Sequence, residues 1–309
     1  MRSKTISKII GFFIVVLIFY FLGKNLYLNW EQVKEYQISL NYLYLIVSFI
    51  LLSIAILGRG LVWKKIVDIL EPANDLGFLE SVRISVFSQF GKYLPGKIFA
   101  PAGMIYLTRS KNISKKNLYL SVIFDAFFPI ISAFILSLLL IGLFFNYEVG
   151  FFNFYLIGFL AILVGFAITH PWIFQYLVKM FLKILKKEQV DFNFTFSWFN
   201  RIKIISFYSL THFLIGLGFF FLINSITYFP LENLLSSAGI YILAGVLGLV
   251  AFFIPGGLGV REGVLVLFLQ FYFPLNVAIL ISLLARIWST LVDIFLGGGL
   301  FLYNKIKKQ

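Results

Sequence analysis

The chain has 309 residues, of which 61% are apolar, 19% aromatic and only 13% charged, where a soluble domain carries about 25% charged residues. So little charge, with a mean hydropathy of +0.96, excludes a soluble enzyme, a disordered chain and a secreted disulfide scaffold. The absence of cysteine excludes thiol catalysis, disulfides and thiolate-held metals.

Apolar stretches of about 20 residues span a bilayer. In chain order they are 9–28, 40–62, 118–145, 151–169, 204–226, 234–254 and 277–302. Arg2, Lys4 and Lys8 precede the first, and no small-residue cleavage site follows it, so it reads as a retained helix. A shorter apolar piece, 264–273, follows a glycine-rich motif. The net charge of +13 fits either nucleic acid or cytoplasmic loops beside anionic lipid, and the placement of the basic residues decides. Segments 1–8, 59–117, 171–203 and 303–309 hold 3, 10, 6 and 3 Lys and Arg, 22 of the 26. The alternate loops 29–39, 146–150 and 227–233 hold Lys34 against Glu31, Glu35, Glu148 and Glu232. This bias assigns both termini, the long 63–117 region and the 171–203 loop to the cytoplasm of an inner-membrane protein, with no nucleic-acid partner. Two ends on one side need an even number of crossings, so 264–273 is expected to cross as a short or kinked helix. The expected fold class is an all-α integral membrane protein, a polytopic bundle of about eight transmembrane helices with Pro/Gly-broken or re-entrant members.

A single membrane domain, 1–309, is expected. Tyr93-Leu94-Pro95-Gly96-Lys97-Ile98 is similar to Phe253-Ile254-Pro255-Gly256-Gly257-Leu258, 160 residues on. That points to tandem halves, 1–170 and 200–309, joined by a basic amphipathic segment, 171–203, on the inner leaflet. The alternatives are chance similarity in apolar sequence and a solvated charged face.

Three constellations carry charge into this apolar frame. In the first, Phe90-Gly91-Lys92-Tyr93-Leu94-Pro95-Gly96-Lys97, the flanking apolar runs are too short to cross. Two short helices about a Pro-Gly turn would make a re-entrant hairpin; the other reading is an amphipathic loop lying on the membrane. Freed backbone amides beside Lys92, Lys97 and Arg109 would suit a phosphate headgroup. The second is Pro255-Gly256-Gly257-Leu258-Gly259-Val260-Arg261-Glu262, a helix break lacking the strand–helix context of a nucleotide loop. A charge at that depth costs a few kcal/mol and is usually paired and functional. Arg261 is assigned to a lipid phosphate, and Glu262 either holds it or carries a proton; an interfacial turn is the plainer account. The third comprises Arg286 and Asp293, seven apart on one helix face, and Asp125, four residues before Pro129. They are expected to face the interior and pair, Asp125 with Arg286, as a register-fixing ion pair or as a proton or ion relay in transport. Gly297-Gly298-Gly299 is expected to serve helix packing. His170 and His212 have no neighbours in sequence that suggest catalysis, and neither a metal nor another cofactor is expected.

The Pro255–Glu262 break is similar to the P-G-G-x-G-x-R-E signature of the lysylphosphatidylglycerol synthase transmembrane region, a flippase-like family. The Leu94-Pro95-Gly96 break followed by Arg109, and Leu284-Ala285-Arg286, match its other recurrent positions. Family members commonly carry Asn or Arg near the first break, where Lys92 and Lys97 stand here. The resemblance covers essentially the whole chain and implies a polytopic domain that moves lipids between leaflets. Bifunctional members add a soluble aminoacyl transferase domain; the chain ends at Gln309 directly after the last helix, so aminoacyl transfer is not expected. Stand-alone relatives are associated with glycolipid or envelope pathways, which implies an anionic phospholipid or polyprenyl-linked glycolipid as cargo and envelope-synthesis enzymes as partners. The expectation is a non-enzymatic translocator whose substrate site comprises Lys92, Pro95, Gly96, Lys97, Arg109, Pro255, Gly256, Gly257, Gly259, Arg261, Glu262 and Arg286, with Asp125, Glu262 and Asp293 as proton carriers. A membrane transferase with Glu262 or Asp125 as base, and an accessory scaffold, are the competing readings.

Overall fold

The structure is a computed structural model that describes residues 39–93, 99–109, 111–144, 196–251 and 257–307, with scattered positions in 20–27 and 156–176. Residues 92, 93, 99, 144 and 304–307 are described by their backbone alone. Among the described residues there are eight α-helices and no strand: α1 (Tyr42–Leu70), α2 (Phe78–Gln89), α3 (Phe99–Leu107), α4 (Lys115–Phe144), α5 (Trp198–Asn224), α6 (Leu234–Val250), α7 (Val260–Leu269) and α8 (Leu275–Lys307).

Five of them, α1, α4, α5, α6 with its preceding turn, and α8, are long and apolar enough to cross a membrane. They coincide with the expected spans 40–62, 118–145, 204–226, 234–254 and 277–302; the expected spans 9–28 and 151–169 lie outside the described residues. In hydrocarbon the backbone must satisfy itself, so helices are the only open-ended solution. Side chains define the starts. Asn41 accepts from the amides of Leu43 (3.1 Å) and Tyr44 (3.3 Å), and Ser197 accepts from that of Asn200 (3.2 Å). One boundary differs from the sequence reading. Helix α1 runs on to Leu70 because residues 63–70 contain no breaker, so Lys64, Lys65 and Asp68 ride on its last turns instead of lying in a basic loop.

Two ends of the bundle are defined by contacts. The amides of Ser39 and Asn41 donate to the carbonyls of Ile226 (3.0 Å) and Ser225 (2.8 Å), so α1 and α5 run antiparallel. At the opposite end, Glu71 after α1 accepts from the Ser114 amide (3.1 Å) and the Asn117 side chain (2.9 Å) beside the start of α4. The Ser114 and Asn117 hydrogen bonds hold the Glu71 carboxyl below its ordinary range.

Between these supports, α2 and α3 form a hairpin. Helices of 12 and 9 residues rise only about 18 and 13 Å, too little for a hydrocarbon core of about 30 Å. Lys111 just beyond α3 reaches Glu80 at the start of α2 (2.7 Å), which brings both feet of the hairpin to one end of the bundle. Gly103 faces Ser88 across the hairpin, and Gly60 lets α1 close on α2, where a β-carbon would fall 2.7 Å from the Val82 α-carbon.

The segment expected to make the eighth crossing takes an unusual form. Helix α7 has ten residues, a rise of about 15 Å. Gly257 lies against Gly248 near the C-terminal end of α6. Beyond α7, the Tyr272 hydroxyl donates to Ser236 Oγ (2.9 Å) near the N-terminal end of α6, and Phe229 packs on the Tyr272 and Phe273 rings. The segment 257–273 therefore returns along α6 as a bend followed by a short helix. Small residues permit the tight approaches this demands: Gly216 faces Ala238, and Gly239 faces Leu140 and Ile141. The largest core cluster draws on α1, α2, α4, α5, α6, α7 and α8 together.

Candidate functional site: an ion cluster at the second helix break

Gly257 and Gly259 have φ of 65° and 86°. Side-chain-bearing residues rarely adopt that region, and at Gly257 a β-carbon would also collide with the Gly248 carbonyl. These glycines press the bend onto α6 and then launch α7. Glu262 caps the helix it belongs to: its Oε2 accepts from the Gly259 amide at 2.6 Å.

Arg261 and Glu262 then diverge. Arg261 turns to α6, where it donates to the Tyr241 hydroxyl and holds its guanidinium 4.7 Å from the centre of that ring. Tyr241 is fixed by stacking on Phe219 at 4.3 Å and an edge contact with Trp288 at 5.9 Å. Glu262, 1% exposed, turns to α8. Its Oε1 stands 3.7 Å from an Arg286 terminal nitrogen, beyond hydrogen-bond length, and no described residue donates a hydrogen bond to it. The Ser282 hydroxyl ties the Glu262 carbonyl to α8 at 3.3 Å. Arg286 and Asp293 also lie within electrostatic reach of the Tyr241 hydroxyl. Four charged groups, two of each sign, thus surround one tyrosine where α6, α7 and α8 meet. Arg286 lies eleven residues into α8, about 16 Å along its axis, inside the apolar stretch Leu275–Tyr303 that is long enough to cross a membrane.

A family model described as the lysylphosphatidylglycerol synthase TM region matches residues 8–297. The chain belongs to this family. No curated protein and no solved structure matches it. As a member of the lysylphosphatidylglycerol synthase TM region family with five long apolar helices, it is a multi-pass membrane protein.

Within this family member the second break is only partly described: Gly257, Gly259, Arg261 and Glu262 are placed, whereas Pro255 and Gly256 lie outside the described residues. At the first break, Pro95, Gly96 and Lys97 also lie outside them, and Lys92 is described by its backbone alone. The residue leading into that break is placed. The Phe90 ring sits against Gly297, where a β-carbon would lie 2.5 Å from it. This accounts for the first glycine of the Gly297-Gly298-Gly299 run; β-carbons at Gly298 and Gly299 would meet open space. Arg109 stands apart, exposed at the foot of the hairpin over the Tyr106 ring (5.2 Å), about 13 Å along α3 from its tip.

The expected pairing of Asp125 with Arg286 is corrected. Asp125 faces α1 and α5: Arg59 lies 3.5 Å from its Oδ2, and Tyr208 donates to its Oδ1 at 2.6 Å. Arg286 faces α7 and meets Glu262. Each charge takes the opposite charge on the helix packed against its own face. A second polar group follows beside Asp125, with His212 Nδ1 at 2.7 Å from the Tyr208 carbonyl and Ser132 Oγ at 3.0 Å from Ser209 Oγ.

Sequence reasoning missed Arg59, Tyr208, Tyr241 and His212. Arg59 is legible in principle, since it lies within the expected span 40–62 although the charge count groups it with the basic segment 59–117. Nothing local separates Tyr241 from the other 15 tyrosines of an aromatic-rich chain.

Proposed function

We propose that the protein binds the phosphate-bearing headgroup of an anionic phospholipid or lipid-linked glycolipid within the membrane and carries it between leaflets. The observation that carries this reading is the convergence of Arg261 and Arg286 on Tyr241 among membrane-spanning helices, beside a bend built on glycine. A phosphate cannot enter hydrocarbon uncompensated, and guanidinium forks on a preorganised aromatic support are suited to its oxygens. Irregular backbone such as this bend is tolerated in a membrane only beside protein or a wet passage. The reading extends to the cytoplasmic membrane with both termini cytoplasmic, on the strength of the charge distribution, and to transport without chemical conversion of the lipid. Asp293, Glu262 and Asp125 are the acids available for proton coupling. Envelope-synthesis enzymes are the partners that would supply or consume such a lipid.

The test is a leaflet-sidedness assay in reconstituted vesicles with fluorescent phosphatidylglycerol and a polyprenyl phosphate. Loss of one charge-assisted contact costs about 1.5–3 kcal/mol, so Arg261→Ala is expected to slow movement at least tenfold. Movement at the wild-type rate by that variant would remove Arg261 from the site.

A further inference from the structure

We infer that Glu262 is a proton carrier: it takes up one proton as an anionic headgroup docks on Arg261 and Arg286, and the pair crosses without net charge. This rests on the translocation reading above and specifies its co-substrate.

The inference starts from a count of charge at a place where charge is costly. Arg261 and Arg286 carry two positive charges, Glu262 and Asp293 two negative ones, so the cluster is neutral before any headgroup arrives. A monoanionic headgroup would leave it one negative charge in excess within hydrocarbon. A proton added to one of the acids restores neutrality, and the geometry selects the acid.

The two oxygens of Glu262 have different tasks. Oε2 is committed to the Gly259 amide and keeps α7 capped. Oε1 is buried, receives no hydrogen bond from any described residue, and faces Arg286 at 3.7 Å. A proton on Oε1 leaves the cap intact, releases Arg286 to the incoming phosphate, and turns an oxygen without a donor into a donor for that same phosphate. From α8, Arg286 faces the Glu262 carboxyl and Ser282 its backbone carbonyl, and Glu262 acts on Tyr241 of α6 together with Arg261 on its own helix and Arg286 and Asp293 on α8. The Tyr241 hydroxyl already accepts from Arg261. The step balances simply. An O–H bond forms at Oε1 with a proton from water on the loading side. It breaks on the release side, the proton returns to water, and Arg286 again faces the carboxylate.

The experiment uses the full chain in phosphatidylcholine nanodiscs, weakly buffered, with a pH indicator and titrated short-chain phosphatidylglycerol. The expected result is uptake of about one proton per headgroup bound, with none for added short-chain phosphatidylcholine. In Glu262→Gln, uptake per bound headgroup is expected to fall to the phosphatidylcholine level. Binding without uptake overturns the proton-carrier role and leaves headgroup binding standing, as does unchanged uptake in Glu262→Gln. Absence of binding overturns headgroup recognition and the proton role together. A second measurement needs no variant. In wild-type vesicles, acid on the loading side is expected to accelerate phosphatidylglycerol movement, while a potassium–valinomycin potential leaves the rate unchanged; a rate that follows the potential overturns electroneutral exchange.

Discussion

Arg59 and Asp125 meet where two membrane-spanning helices pack, and neither can be removed alone without leaving its partner in the wrong solvent. Arg59→Met strands a carboxylate that is 6% exposed. Breaking such a pair costs about 3–5 kcal/mol when fully buried, and the lower end applies here because the Arg59 side chain is 33% exposed. Thermal unfolding in detergent is expected to show a large loss for Arg59→Met and recovery of most of it in the double variant Arg59→Met/Asp125→Asn. At the other cluster, Tyr241→Phe keeps the stack on Phe219 and removes only the oxygen that accepts from Arg261. Headgroup affinity, read by titration, is expected to fall about tenfold, in keeping with a lost charge-assisted hydrogen bond of about 1.5 kcal/mol, with little change in melting temperature. Legibility in the sequence follows the same division. Arg261 and Glu262 stand out because charge beside four glycines in an apolar run has few structural explanations. Asp125 was recognisable as a buried charge, but its partner depended on which helices pack together, and that lies outside any local pattern.

At the scale of elements, the glycines separate into those that permit an approach and those with no close neighbour. Gly257→Ala places a β-carbon against the Gly248 carbonyl at a φ of 65° and is expected to destabilise the protein by about 1–3 kcal/mol, detaching α7 from α6. Gly263, on the same short helix, has nothing within 4 Å of a β-carbon; Gly263→Ala is expected to be neutral or to stabilise by up to about 1 kcal/mol through helix propensity. Equal losses in the two variants, read by thermal unfolding, would contradict the packing described. The link between α1 and α4 carries a pH signature. Its hydrogen bonds lower the Glu71 carboxyl in the folded protein, so the stability they contribute is present above the ordinary value of 4.5 and is lost as pH falls through the lowered one. Glu71→Gln is expected to reduce the melting temperature at neutral pH, with a difference from wild type that closes under strong acid. The apolar runs revealed the long helices, because hydrocarbon leaves no alternative. Short α7 was ambiguous: ten residues cannot cross alone, and its route depends on a glycine contact with α6 made across the bend.

For the whole molecule, the feet of the hairpin and the ends of the long helices determine which loops share a side. The chain has no cysteine, so single replacements report sidedness without background. Asp75→Cys and Lys115→Cys are expected to label from one face of sealed vesicles and Tyr228→Cys from the other. An α2–α3 segment that crossed the membrane once, instead of folding back, would separate Asp75 from Lys115.

Helix α8 touches Glu262 at the second break and Phe90, the residue leading towards the first. Glu262 meets it at Arg286 and Phe90 meets it at Gly297, eleven residues or about 16 Å apart on one continuous rod. A rod gripped at two points works as a lever. Any displacement of α8 that follows when Arg286 changes partners is passed along the rod to Phe90 beyond the end of α2.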